Sequence, residues 1–330
     1  MCYKEEKHRK VIMQLEGKMR EVPDFISDFF DRYKSATTRN CNWSYIQNLL
    51  LWLINKRYIN KKDLSEITPE DLNSVTSNQI IKYLNDLKNG ISGNKNSLDS
   101  IGTKKNVFSA FWNYLFLNKY VDDNIIRHIP KHLYKSENTQ KIIKIPTEEQ
   151  LSAFVSRLTE GNGNEFNIVR NLAIVKLIMG SGIRSEELIN LDIKDLYLDD
   201  KRPYIMILGK GKLEHYDKVF ISYEAKMYLK DYLTSRSLFI EENNLQTQAL
   251  FLSNEKKRIS KEVMNNLFRR YSDGNIYPHM LRHWVGTKLY EQTKDIVLVQ
   301  RQLRHSSLET AAKYYVHISE NDIADIMLNI

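Results

Sequence analysis

Several side chains in the C-terminal half of this 330-residue chain are of types suited to handling a phosphate. Arg184 in GSGIRSEEL and Arg282 in YPHMLRHWVGT carry forked, permanently charged donors that fit non-bridging phosphate oxygens. Glu187 stands three residues after Arg184, on the same helical face. Lys210 lies between two glycines in LGKGKLEH, where a strand ends and the backbone can approach a ligand closely. That segment is not a Walker loop, because the glycine spacing and the Lys-Ser/Thr ending are missing. His279 and Arg282 are three residues apart and project from one face of a helix opening after Pro278. His305 follows in RQLRHSSLET, and AAKYYVHIS then presents Tyr314 and Tyr315 side by side.

Histidines can donate to phosphate oxygens or move protons near neutral pH. A lysine can protonate a leaving oxygen. A tyrosine has a free pKa of ~10, but surrounding cations make its phenolate accessible. The set describes metal-free phosphoryl transfer that could pass through a covalent phosphotyrosine. His283, four residues after His279, invites a zinc reading. The metalloprotease glutamate is absent, however, and no cysteine or carboxylate completes a ligand set, so no metal and no cofactor are expected.

These residues need elements to position them. From Thr147 the pattern predicts helices through TEEQLSAFVSRL and EFNIVRNLAIVKLIMGSG, the latter breaking at Gly180 and Gly182. YIMILGKGK and YDKVFIS read as strands joined over 209–215, with ALFLS as a third. Helices are predicted over 222–236, 260–271, 279–293, 295–303 and 307–317, and Ser306 with Glu309 forms a capping-box pattern. Upstream, helices are predicted through PDFISDFFDRYKS, NWSYIQNLLLWLINKRY, TSNQIIKYLNDLKNG and TKKNVFSAFWNYLFLNKY. The expected architecture is mainly α: a four-helix domain, then an α+β domain with a small antiparallel sheet. The boundaries are an N-terminal extension over 1–22, the helical domain over 23–126, a basic linker over 127–146, the second domain over 147–318 and a tail over 319–330. The tail places Ile323, Ile326, Met327 and Ile330 on one helical face.

A hydrophobic fraction of 42% is ample for two cores, which excludes global disorder. The excess of 49 Lys+Arg over 41 Asp+Glu, a formal +8, fits a polyanionic partner. Cys2 and Cys41 read as free thiols in a reducing compartment. No apolar run approaches the ~18 residues of a membrane span. A soluble cytoplasmic protein with no membrane partner is the expectation.

At this point the sequence resembles the tyrosine recombinase (phage integrase) family from about residue 23 onward. GSGIRSEELINL is similar to the family's T-G-x-R-x-S-E-L-x-x-L, LGKGK to its G-K-G turn, HMLRH to H-x-L-R-H and LRHSSLET to its L-G-H-S-S box. The resemblance implies a core-binding (SAM-like) domain and a catalytic domain that clamp a duplex. Tyrosine would attack the scissile phosphate, leaving a 3′-phosphotyrosyl enzyme and a 5′-hydroxyl, and a partner strand would rejoin without ATP. Arg184, Arg282 and His305 would stabilise the phosphorane, Lys210 would be the general acid, His279 would assist proton transfer and Glu187 would support Arg184. Implied partners are double-stranded DNA at a specific site, further copies of the chain in a tetrameric synapse with C-terminal helix exchange, and an accessory DNA-bending or excision factor. The biological role would be integration or excision of a mobile element, or resolution of replicon dimers. A type IB topoisomerase-like relaxing enzyme and a non-enzymatic DNA-binding regulator are the alternatives.

Two points depart from, or divide, the family pattern. Arg304 stands where the family usually has glycine, at a cost of ~1 kcal/mol if that backbone is left-handed. It could also add a phosphate contact. The nucleophile follows the box histidine by nine residues in one branch, which selects Tyr314, and by ten in another, inside Y-x-H. Tyr315-Val316-His317 fits the second form and favours Tyr315, with Tyr314 as the alternative.

Overall fold

The computed structural model describes residues 3–91, 93–134, 144–160, 164–208, 216–305 and 307–315. It divides into two compact units, Met1–Lys141 and Ile142–Ile330.

The first unit is helical: α1 (Tyr3–Met19), α2 (Asp24–Ser27), α3 (Ala36–Asn55), α4 (Pro69–Asn73), α5 (Ser77–Asn89) and α6 (Leu98–Leu117). The segment expected to be an extension is therefore largely helix α1, which packs on α3. Val11, Ile12, Leu15 and Met19 form a sparse stripe among charges, and Leu15 is buried in the core. The predicted helix after Pro23 is instead the short α2 followed by a 3-10 turn over Asp28–Arg32. Neighbouring Phe29 and Phe30 are both buried there, packed edge to face. α5 behaves as its sequence dictates. Thr76 and Gln79 close a capping box, and Gly90 ends the helix at φ 77°. Ile129 and Tyr134, from the segment expected to be linker, lie buried in this first core. The Tyr134 hydroxyl donates to the Ile81 carbonyl at 3.2 Å.

The second unit contains α7 (Glu148–Glu160), α8 (Glu165–Ser181), α9 (Ser185–Ile189), β1 (Leu196–Tyr197), β2 (Tyr204–Leu208), β3 (Tyr216–Phe220), α10 (Tyr223–Glu242), α11 (Lys261–Tyr271), α12 (Pro278–Thr293), α13 (Ile296–Leu303) and α14 (Leu308–Tyr315). The antiparallel sheet has order β1-β2-β3, with Leu196 opposite Ile205 and Leu208 opposite Tyr216. Ile205, Ile207 and Val219 alternate inward onto the core. ALFLS is not the third strand; β1 is. Ala249 and Leu252 make only isolated bridges. Side chains satisfy that backbone instead: Arg236 donates to the Ala249 and Leu250 carbonyls, and the Tyr232 hydroxyl bonds both Leu250 and Leu252. Apolar α8 runs through the middle of the unit, and both α10 and α12 pack on it.

Candidate active site

α8 stops because Gly182 adopts φ 68°, and a β-carbon there would collide with the Leu303 side chain. The chain turns at once into α9, with Arg184 as its extended N-cap. Glu187, three residues on, closes the turn: Oε2 accepts from the Arg184 backbone N–H at 2.9 Å and Oε1 from its guanidinium Nη1 at 2.9 Å. Arg184 Nη2 donates to the Arg304 carbonyl at 2.8 Å. Burial alone would raise the Glu187 carboxyl, but Arg304, the Arg184 backbone bond and the Arg184 guanidinium outweigh it, so the acid is held below its ordinary value.

α12 opens on Pro278 and carries His279, Arg282, His283 and Gly286 at spacings of three, four and seven, on one face. The Arg282 guanidinium is buried and donates to the carbonyls of Gly182 and Leu303, the ends of α8 and α13. Burial and the neighbouring Arg184 and Arg304 pull its pKa down to about 9, which leaves it charged at neutral pH. Burial, then Arg282, lowers His279. His305 falls to about 4 through burial and then the Arg282 and Arg184 charges. His283 falls to about 4 through burial, then His279 and Arg282. All three rings are therefore neutral at pH 7, able to donate from one nitrogen and accept at the other.

Tyr315 ends α14 inside this cluster. Its ring lies parallel to that of His305, with centroids 6.0 Å apart, and its hydroxyl is 3.2 Å from His283 Nδ1. The ring is seated directly on Gly286, where a β-carbon would lie 2.6 Å from the hydroxyl. Burial pushes the phenol up to about 12 although Arg282 pulls it back. Tyr314 is rotated away onto the edge of His283, with centroids 5.2 Å apart, and is only partly buried.

Arg184, Glu187, His279, Arg282, His305 and Tyr315 thus converge. Lys210, Ser306, His317 and the tail 319–330 lie outside the described residues. Two contributors went unassigned in the sequence reading. His283, considered there only as a zinc ligand, is the partner of the Tyr315 hydroxyl; its placement four residues after His279 was the available signal. Gly286, the seat of the ring, lies three residues further along the same face.

A helical unit with a small antiparallel sheet, one arginine capping a helix, a second within another and a tyrosine on the last described helix has the tyrosine recombinase catalytic fold. The phage integrase family model matches residues 145–322, more than half of the chain, and the chain belongs to that family. Tyrosine recombinase XerS of Streptococcus thermophilus (strain CNRZ 1066) is 28% identical over 310 residues, covering 89% of this chain and 81% of that protein. XerS of Streptococcus gordonii (strain Challis) is 32% identical over 202 residues, 59% of this chain, and the match spans 54% of that relative's length. Among solved structures, the fold is similar to XerH site-specific recombinase bound to difH substrate in a pre-cleavage complex, with a TM-score of 0.65 and 23% identity over 89% of this chain and 79% of that one. It is also similar to the Tn1549 transposon integrase in complex with transposon right end DNA, with a TM-score of 0.62 and 15% identity over 83% and 90% of the two chains. Among the described residues, no helix is long and apolar enough to cross a membrane.

Proposed function

We propose that the chain is a site-specific recombinase that cuts and rejoins double-stranded DNA through a 3′-phosphotyrosyl intermediate, with Tyr315 as nucleophile. The observation that carries this reading is the Tyr315 hydroxyl inside the arginine–histidine cluster, hydrogen-bonded to His283 and flanked by His305. Arg184 and Arg282 bind the scissile phosphate and neutralise the charge that builds on its equatorial oxygens. Neutral His279 and His305 donate to those oxygens or receive the phenol proton. Glu187 holds Arg184 in place. Lys210 protonates the departing 5′-oxygen. One phosphodiester is exchanged for a phosphotyrosyl ester, so the reaction conserves bond energy and requires neither ATP nor a metal. Burial keeps the phenol seated on Gly286 at about 12 and therefore protonated, so its proton passes to a neighbouring base as the phosphate is attacked.

The assembly extends to further copies of the chain. An apolar groove of about 540 Å³, lined by Phe220, Val285, Leu289, Val297 and Leu298 among others, lies on the second unit. It suits the apolar stripe of the tail of another copy in a tetrameric synapse. Deleting 321–330 then harms pairing of two sites more than binding of one. The biological role is excision and integration of a mobile element or resolution of replicon dimers, with an accessory DNA-bending factor, in the cytoplasm. No observation favours the relaxing-enzyme alternative.

The test is covalent trapping on a nicked suicide duplex. Tyr314→Phe is expected to trap DNA, and Tyr315→Phe to trap none. The reverse pattern assigns the nucleophile to Tyr314, and trapping by neither the native chain nor either variant removes the enzymatic reading.

A further inference from the structure

We propose that Arg304, which replaces the glycine usual at this position, is a positioning residue that fixes Arg184 through a shared hold on Glu187. The proposal rests on the recombinase reading above. Three observations lead to it.

First, the backbone is left-handed there. Arg304 caps α13 at φ 54° and ψ 50°, a region that favours glycine and that a residue with a β-carbon adopts only at a cost. Lys294 ends α12 in the same conformation, so the backbone alone assigns no role and the side chain's contacts decide.

Second, the side chain does not reach outward as a phosphate contact would. It is folded inward and nearly buried, 10% exposed, with Nη2 2.5 Å from Glu187 Oε2. Nη1 donates to the Gln302 carbonyl at 3.0 Å. The carboxylate it meets is itself 8% exposed and has its other oxygen on Arg184 Nη1.

Third, Arg304 holds Arg184 a second time, by accepting from Nη2 at its own carbonyl. Both terminal nitrogens of Arg184 are therefore fixed by atoms that Arg304 carries or clamps. A bidentate guanidinium contributes to phosphate binding only if its plane is set before the ligand arrives. With glycine at 304 the carbonyl remains, but Glu187 Oε2 loses its cation and keeps only the Arg184 backbone N–H, so the carboxylate is held by Arg184 alone. Arg304 also leaves three guanidiniums around one carboxylate, a surplus of positive charge beside the place where phosphorane charge develops.

The experiment starts from a duplex recovered by covalent capture on the native chain from a randomised nicked library. Single-turnover cleavage and DNA affinity are then measured for Arg304→Gly, Arg304→Ala and Arg304→Lys. Cleavage is expected to fall roughly tenfold in the Gly and Ala variants, the loss of one charge-assisted bond on the supporting acid. Affinity should stay within about twofold, because Arg304 does not face the ligand, and Lys should recover most of the rate. Gly relieves the left-handed backbone and Ala does not, so equal losses in the two assign the effect to the guanidinium. Native-rate cleavage by Arg304→Gly overturns the proposal while leaving the recombinase reading intact. So does a loss of affinity matching the loss of rate, which would make Arg304 a DNA contact. No capture by the native chain overturns the recombinase reading and this proposal with it.

Discussion

Two groups of arginines in the second unit are built on different principles. Arg170 and Arg236 are 5% and 7% exposed, and the acceptors they bond are neutral oxygens. Arg170 bonds the Leu252 carbonyl, Asn254 and Asn171. Arg236 bonds the carbonyls of Thr247, Ala249 and Leu250. Around Glu187, by contrast, Arg184 and Arg304 share one carboxylate beside buried Arg282, which itself bonds the Gly182 and Leu303 carbonyls and whose pKa both of them pull down. The first pair staples an irregular segment whose carbonyls have no strand to join. The second group holds repelling cations together around the single Glu187 carboxylate, leaving a positive surplus suited to a further anion. Burial of arginine does not by itself mark function; the company it keeps does.

Exchanging the two groups is the strongest way to break this comparison. Arg236→Met leaves the Thr247 and Ala249 carbonyls without their guanidinium donor, Leu250 keeping the Tyr232 hydroxyl, and should cost about 3 kcal/mol in urea unfolding. The molecules that remain folded should still trap DNA at the native rate. Arg184→Ala should do the opposite. Its side chain is 32% exposed, so unfolding changes little, whereas trapping falls on the order of 100-fold or more. If Arg236→Met loses trapping in its folded fraction, the distinction between staple and anion site fails.

Gly286→Ala tests the seat of the nucleophile with a smaller effect. The added β-carbon would lie 2.6 Å from the Tyr315 hydroxyl, far inside contact distance. Overpacking of this kind costs about 1–3 kcal/mol unless the neighbour yields. Here the neighbour is a ring on the last described helix, so Tyr315 is expected to leave and lose its bond to His283. Nitration of Tyr315, read by peptide mass spectrometry, should then rise well above the native level. Unchanged nitration would mean that Gly286 does not gate access to the phenol.

How much of this was legible from residues alone depended on distance along the chain. Local chemistry was readable: the Thr76 cap, the Gly90 and Gly182 stops, and the run of His279, Arg282 and His283 on one helix face follow from spacing. What escaped was set by partners far away. The segment at 249–253 looks like a strand, and only the contacts from Arg236 and Tyr232 explain why it joins no sheet. Helix α1 was hidden because its charges outnumber an apolar stripe that α3 alone makes meaningful. Arg304 is recognisable in the sequence as a departure from pattern, and a left-handed backbone enters there only as a condition, which the structure meets at φ 54°. Its inward turn onto Glu187, residues of two helix ends 117 positions apart, could not be read from either segment.

The smallest expected effect follows from the histidines. His283 and His305 are held near 4 in the folded chain, against about 6.5 for a free side chain. Between those values the unfolded chain binds more protons than the folded one, so stability is complete above about pH 6.5 and drains away as the pH falls towards 4. The arginine staples keep their charge across this range and contribute no such slope. Thermal midpoints of the native chain should therefore drop from pH 7 to pH 4.5. The drop should be smaller in His283→Asn, which cannot take up a proton but retains a polar atom near the Tyr315 hydroxyl. An equal drop in that variant would place the acid sensitivity elsewhere than in the burial of His283.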